Sequence, residues 1–118
     1  MEPPFERSDV HAALERSWSK ASARQWRRDN PALGQCNVTA LLVHELYGGE
    51  ILKTPLSAGD HFYNRIHGDR LDFTASQFDR PIAYADLPSC RNEAFSDVAE
   101  AEYAALKLAF LKVIGYAD

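Results

Sequence analysis

Cysteine, histidine and aspartate are the side chains that a thiol-based acyl transfer needs, and Cys36, His61 and Asp72 follow one another in that order through the middle of the chain. Cys36 closes the tripeptide Gly34-Gln35-Cys36, after which Val38, Ala40, Leu41, Leu42, Val43 and Leu46 continue as an apolar helical stretch. At a helix start, unpaired backbone N–H groups and the positive end of the helix dipole favour a thiolate, so the position primes a nucleophile. Three of the four histidines fail as its base on placement alone. His44 lies on the same helix, about 12 Å of rise away. His67 sits at a turn in solvent, and His11 belongs to the first turn of an N-terminal helix. His61, at a strand end, remains. Asp72 would hold its imidazole in the correct tautomer and stabilise the charged form.

Each of these residues also has a plainer reading: a buried thiol, a strand histidine with a backbone partner, a surface carboxylate. Their order, their element types and a shared face together favour catalysis. Metal binding by the same three residues is the weaker alternative, because no close-spaced pair such as Cys-x-x-Cys or His-x-x-x-His is present; neither a metal nor another cofactor is expected. Cys90, in Leu87-Pro88-Ser89-Cys90, has no histidine beside it and reads as an incidental thiol. Both cysteines are expected to be free.

The elements between these residues decide whether they can meet. Ser8 can cap a first helix running to about Ala23, and Asn30-Pro31 with Gly34 makes 26–35 a loop. The helix from Cys36 to Tyr47 is apolar around nearly its whole circumference, hence buried, and Gly48-Gly49 ends it. Glu50 to Pro55 reads as a strand. His61 to Ile66 and Asp69 to Thr74 are two more, joined by His67-Gly68 as a two-residue hairpin turn. That register sets Ile66 opposite Asp69, Tyr63 opposite Asp72 and His61 opposite Thr74, so His61, Tyr63, Asp72 and Thr74 share a face. His61 and Asp72 then lie diagonally, about 7 Å apart at Cβ. Gln77 to Ala85 suits an edge segment, since Pro81 lacks an amide donor. The last helix spans about Asp97 to Ile114, with Asp97 and Glu100 as its capping pair and Gly115 as its stop.

The fold class is therefore α+β: a buried central helix packed on a small antiparallel sheet, with flanking N- and C-terminal helices in a single domain over 1–118. A 46% hydrophobic and 25% charged composition is that of an ordinary globular chain. A net charge of −4 argues against nucleic acid as the main partner, and the local cluster Arg24, Arg27, Arg28 and Trp26 reads as a solvated helix end. Nothing in the sequence has the length or composition of a signal peptide or of a membrane span, so no membrane partner and a cytoplasmic location are expected.

The residues also carry a family likeness. Gly34-Gln35-Cys36, the strand with His61, and Asp72-Phe73-Thr74 resemble the Cys, His, Asp core of transglutaminase-like proteins. More closely, Gly34-Gln35-Cys36-Asn37-Val38-Thr39-Ala40-Leu41, Tyr47-Gly48-Gly49-Glu50-Ile51-Leu52, His61-Phe62-Tyr63-Asn64-Arg65 and Asp72-Phe73-Thr74-Ala75-Ser76-Gln77-Phe78 resemble the small bacterial YunG-like family. The resemblance implies a minimal papain-like, transglutaminase-like fold with a Cys/His site. Phe73 stands where transglutaminases have proline, and their further domains and calcium sites are missing, which favours hydrolysis or deamidation of a peptide, amide or thioester over protein crosslinking. The backbone amide of Cys36 is a natural oxyanion donor. Papain-like enzymes often add a glutamine six residues before the cysteine, where this chain has Asn30; Gln35 competes for that role, and Trp26 is a candidate pocket wall. Tyr63 and Arg65, on the strand face of His61, are candidates for contacting substrate. The alternative is a catalytically inactive domain that keeps the scaffold and uses its cleft to bind or regulate a partner.

Overall fold

Apolar residues on every side make the stretch after Cys36 a helix that has to be covered all round. The computed structural model describes residues 4–116. In chain order they form α1 (Arg7–Ser17), α2 (Cys36–Tyr47), β1 (Glu50–Leu56), β2 (Gly59–Ile66), β3 (Asp69–Leu71), a 3-10 turn (Ala75–Gln77), β4 (Leu87–Pro88), α3 (Arg91–Phe95) and α4 (Glu100–Ile114). The strands make one antiparallel sheet in the order β3-β2-β1-β4. The architecture is α+β, with α2 at its centre. No helix among the described residues is long and apolar enough to cross a membrane.

Two clusters cover α2. Val38, Leu42 and Val43 pack with Val10 and Leu14 of α1 and with Leu106 and Phe110 of α4. Ala40 and Leu41 pack instead with Ile51 and Phe62 of the sheet and Ala94 of α3. Each fully buried Leu or Phe contributes about 2 kcal/mol of apolar transfer, which makes this helix the anchor of the fold. Two buried polar links set its rotation: Trp18 Nε1 donates to Thr39 Oγ1 at 2.9 Å, and Asn64 Nδ2 donates to the Ala40 carbonyl at 3.0 Å. Cys36 is thereby fixed relative to the sheet.

The expected hairpin register holds over the residues that pair: Ile66 faces Asp69, Arg65 faces Arg70 and Asn64 faces Leu71. Its turn has positive φ at both His67 (+51°) and Gly68 (+84°), as a two-residue turn of this type demands. β3 nevertheless stops at Leu71 and not at Thr74. The Asp72 carboxylate accepts from the Thr74 N–H at 3.2 Å, and this local turn replaces the expected pairing of Thr74 with His61.

Three other boundaries differ from expectation. α1 ends at Ser17, because the Ser17 hydroxyl donates back to the Ala13 carbonyl at 2.6 Å and Ser19 and Ser22 close a separate turn. Its cap is Glu6, whose carboxylate accepts from the Ser8 N–H at 3.0 Å. Residues 78–86 do not extend the sheet edge; they cross its face, and the added edge strand is Leu87–Pro88, beside β1. The last helix, α4, begins at Glu100, with the Glu102 carboxylate accepting from the Ala99 N–H at 3.0 Å in place of an Asp97/Glu100 pair, and a separate short helix, α3, precedes it.

The Gly48-Gly49 exit from α2 makes a sharp contrast testable. Both residues have φ of +78°, but a Cβ on Gly48 meets open space, whereas one on Gly49 would lie 2.4 Å from the Arg65 carbonyl oxygen. Gly48→Ala should cost about 1 kcal/mol from the backbone conformation alone. Gly49→Ala should cost about 3 kcal/mol or more, because β2 must shift as well. Urea unfolding midpoints of the two variants measure the difference.

Candidate active site

Side chains alternate along β2. Phe62, Asn64 and Ile66 turn toward α2, which leaves His61, Tyr63 and Arg65 on the other face. At its Cys36 end α2 comes up beside the end of this strand, and Cys36 and His61 line one cavity of about 240 Å³. The His61 Nε2 lies 2.7 Å from Asp72 Oδ2, in a pair whose side chains are only 2% and 5% exposed. Since Nε2 is occupied, the other ring nitrogen, Nδ1, is the one available to Cys36, which lines the same cavity. Burial pulls the imidazole toward its neutral form, but the hydrogen bond with Asp72 and the nearby Cys36 outweigh it and push its pKa up to about 9.

A shell that has no short-range signature in the sequence holds the pair in place. Tyr84 donates its hydroxyl to Asp72 Oδ2 at 2.7 Å, while the Thr74 N–H and hydroxyl donate to Oδ1 at 3.2 and 3.3 Å. Burial, then the hydrogen bond to Asp72, raises the Tyr84 pKa and keeps its phenol a donor. Arg70 lies 4.3 Å over the Tyr84 ring and donates to both oxygens of Asp86. Asp86 in turn accepts from the Tyr63 hydroxyl at 2.9 Å, and this network fastens the crossing segment 78–86 over the sheet. Phe78 meets the His61 ring edge-on at 4.8 Å and Tyr63 stacks on it at 5.7 Å, so the imidazole plane is set by packing.

The remaining candidates separate from the site once their partners are known. Gln35 is fully buried, with Oε1 accepting from the Ser22 hydroxyl at 2.8 Å and Nε2 donating to the Ser19 carbonyl at 3.2 Å. It braces the loop before α2. Asn30 donates its Nδ2 to the Gln77 carbonyl at 3.2 Å. Trp26 packs against the α1/α2/α4 cluster, away from the lining of the Cys36 cavity. Tyr63 spends its hydroxyl on Thr54 and Asp86, and Arg65 pairs with Glu50 further along the strand. Neither is aimed at Cys36.

The other histidines are used elsewhere or stand apart. His44 Nδ1 lies 3.0 Å from an Arg91 nitrogen, and burial, then that guanidinium, lowers its pKa. His11 packs on Phe73 at 5.9 Å, and His67 occupies the exposed turn. Both cysteines are free; Cys36 is half-buried and Cys90 is exposed. No group of three His, Cys, Asp or Glu among the described residues has the arrangement of a metal site.

Asn37 is a further neighbour of the sulfur. The Cys36 thiol donates to Asn37 Oδ1 at 3.2 Å, and Asn37 Nδ2 donates to the Ala94 carbonyl at 2.8 Å, which ties the helix start to α3. The first backbone bond of α2 runs from the Thr39 N–H to the Gln35 carbonyl at 3.0 Å, so the N–H groups of Cys36, Asn37 and Val38 have no intrahelical acceptor. On this side a second cavity, about 570 Å³, is walled in part by Asp60, Asp97, Glu102 and Arg24. Cys36 therefore borders free space on two sides, with backbone donors beside it.

The comparisons with known proteins agree with the sequence blocks. A family model described as "YunG protein" matches residues 6–115. The "Uncharacterized protein YunG" of Bacillus subtilis (strain 168) is 46% identical over 101 residues, covering 86% of this chain and 88% of that protein. No solved structure matches. The alignment spans α1 to α4 and with them every residue of the site, and the chain belongs to the YunG protein family.

Proposed function

We propose that the protein is a cysteine-dependent acyl-transfer enzyme on a minimal papain-like scaffold, acting on an amide or thioester. What carries this reading is the gathering of Cys36 and His61 at one cavity, with His61 Nε2 bonded to Asp72, Tyr84 bonded behind the carboxylate, and Nδ1 left for the thiol. A histidine held only for stability does not need a half-buried thiol at a helix start beside it in the same cavity.

The chemistry follows from where the protons sit. In the reactive form one proton passes between Cys36 Sγ and His61 Nδ1. With that proton on Nδ1, Sγ attacks the acyl carbon, and the oxygen that becomes negative lies beside the Cys36 N–H. Collapse breaks the bond to the leaving group, which takes the Nδ1 proton and departs as the amine or thiol. A thioester to Cys36 remains. Water then gives a proton to Nδ1 and attacks; breaking the C–S bond releases the carboxylic acid and restores the shared proton. An amine in place of water gives transamidation by the same steps. Asp72 keeps Nδ1 directed at sulfur throughout.

p-Nitrophenyl acetate tests this without knowledge of the natural substrate. The expected result is a burst of p-nitrophenol equal in amount to the protein, with one acetyl group mapped to Cys36 by peptide mass spectrometry. Acetyl groups scattered over lysines with none on Cys36 would point instead to a domain that binds without catalysing.

A further inference from the structure

Gln77 has a side-chain amide nitrogen that is buried and has no hydrogen-bond partner among the described residues. Most buried polar groups find partners, so an orphan donor calls for a reason. This one belongs to a residue that lines the 240 Å³ cavity together with Cys36 and His61. Its backbone is held from two directions: the N–H donates to the Thr74 carbonyl at 3.1 Å, and the carbonyl accepts from Asn30 Nδ2 at 3.2 Å. Thr74 also donates twice to Asp72, so one short turn fixes both the carboxylate of the triad and this amide. The next residue, Phe78, lies against the His61 ring.

Resting on the acyl-transfer reading above, we infer that Gln77 supplies the side-chain donor of the oxyanion hole, opposite the backbone N–H of Cys36. Of the amides nearer the cysteine in sequence, four are committed by their own bonds: Gln35 to Ser19 and Ser22, Asn30 to Gln77, Asn37 to the Ala94 carbonyl and Asn64 to the Ala40 carbonyl. The buried Nε2 has to turn toward the cavity to meet the acyl oxygen, and because it is unpaired it breaks no hydrogen bond in doing so.

Two reactions of Cys36 separate this role from a structural one. Acetylation by p-nitrophenyl acetate passes through an oxyanion; alkylation by iodoacetamide, at a saturated carbon, does not. In Gln77→Ala and in the near-isosteric Gln77→Glu, acetylation of Cys36 should fall about 100-fold, with alkylation within about twofold of wild type. Acetylation within about threefold of wild type in both variants would overturn the assignment, and so would equal losses in the two reactions, which would mark Gln77 as structural. Failure of the wild-type protein to acetylate Cys36 at all is a separate result, which removes the acyl-transfer reading itself.

Discussion

Cys36→Ser should cut acetylation by p-nitrophenyl acetate about 10⁴-fold or more while leaving the unfolding midpoint close to that of the wild type. The reasoning separates chemistry from packing. Cys36 is half-buried, and among the described residues its sulfur bonds to Asn37 Oδ1, a contact that a hydroxyl can also make. Little stability is lost. A hydroxyl, however, gives up its proton far less readily than a thiol, and the nucleophile of the first step is lost. Cys90→Ser is the matched control: Cys90 is exposed, occupies the N-cap of α3 without a side-chain cap bond, and serine is the better residue there. Acetylation should not change in that variant. At pH 6, iodoacetamide should label Cys36 at least about tenfold faster than Cys90; equal rates would withdraw most of the support for a primed nucleophile.

The parts of the site that were legible in the sequence are those set by local rules. An apolar helix preceded by Gly34-Gln35-Cys36 has one place to start, and a two-residue turn at His67-Gly68 has one register, so the meeting of His61 and Asp72 follows from turn geometry. The second half of β3 did not follow the same logic, because the Asp72 side chain captured the Thr74 N–H and bent the chain away. That bend is useful, as it places Thr74 and the 75–77 turn where they hold the carboxylate.

What stayed hidden depends on partners far apart in sequence. Residues 78–86 have no helical or strand period, and their path across the sheet is fixed by side chains: Tyr84 to Asp72, the Ala85 N–H to Thr54, the Asp86 N–H to Tyr63. Spacing alone cannot anticipate such bonds. The same limit explains why Asn30 and Gln35 drew attention as oxyanion donors. Nearness to Cys36 was visible, whereas the acceptors already claiming their amides were not. α3, at five residues, is too short for a hydrophobic period to register.

Asp72→Asn should slow acetylation of Cys36 by about 10³-fold to 10⁴-fold and should also change how stability depends on pH. An asparagine amide can donate to Nε2, which forces the ring proton onto Nδ1 and leaves no lone pair there to receive the thiol proton. With the carboxylate gone, the larger of the influences that offset burial is lost and the His61 pKa should fall. In the wild type its pKa is about 9, above the 6.5 of an unperturbed histidine, so folding tightens proton binding. That stabilisation is complete below pH 6.5 and is lost as pH rises through about 9. For this nearly inaccessible ring it amounts to at most about 3 kcal/mol, or on the order of 10 °C in unfolding temperature. Between pH 6.5 and 9.5 the melting temperature of the wild type should therefore fall more steeply than that of Asp72→Asn. Parallel curves would mean that the His61–Asp72 pair does not hold the proton, and the imidazole would then have no means of supplying one to a leaving group.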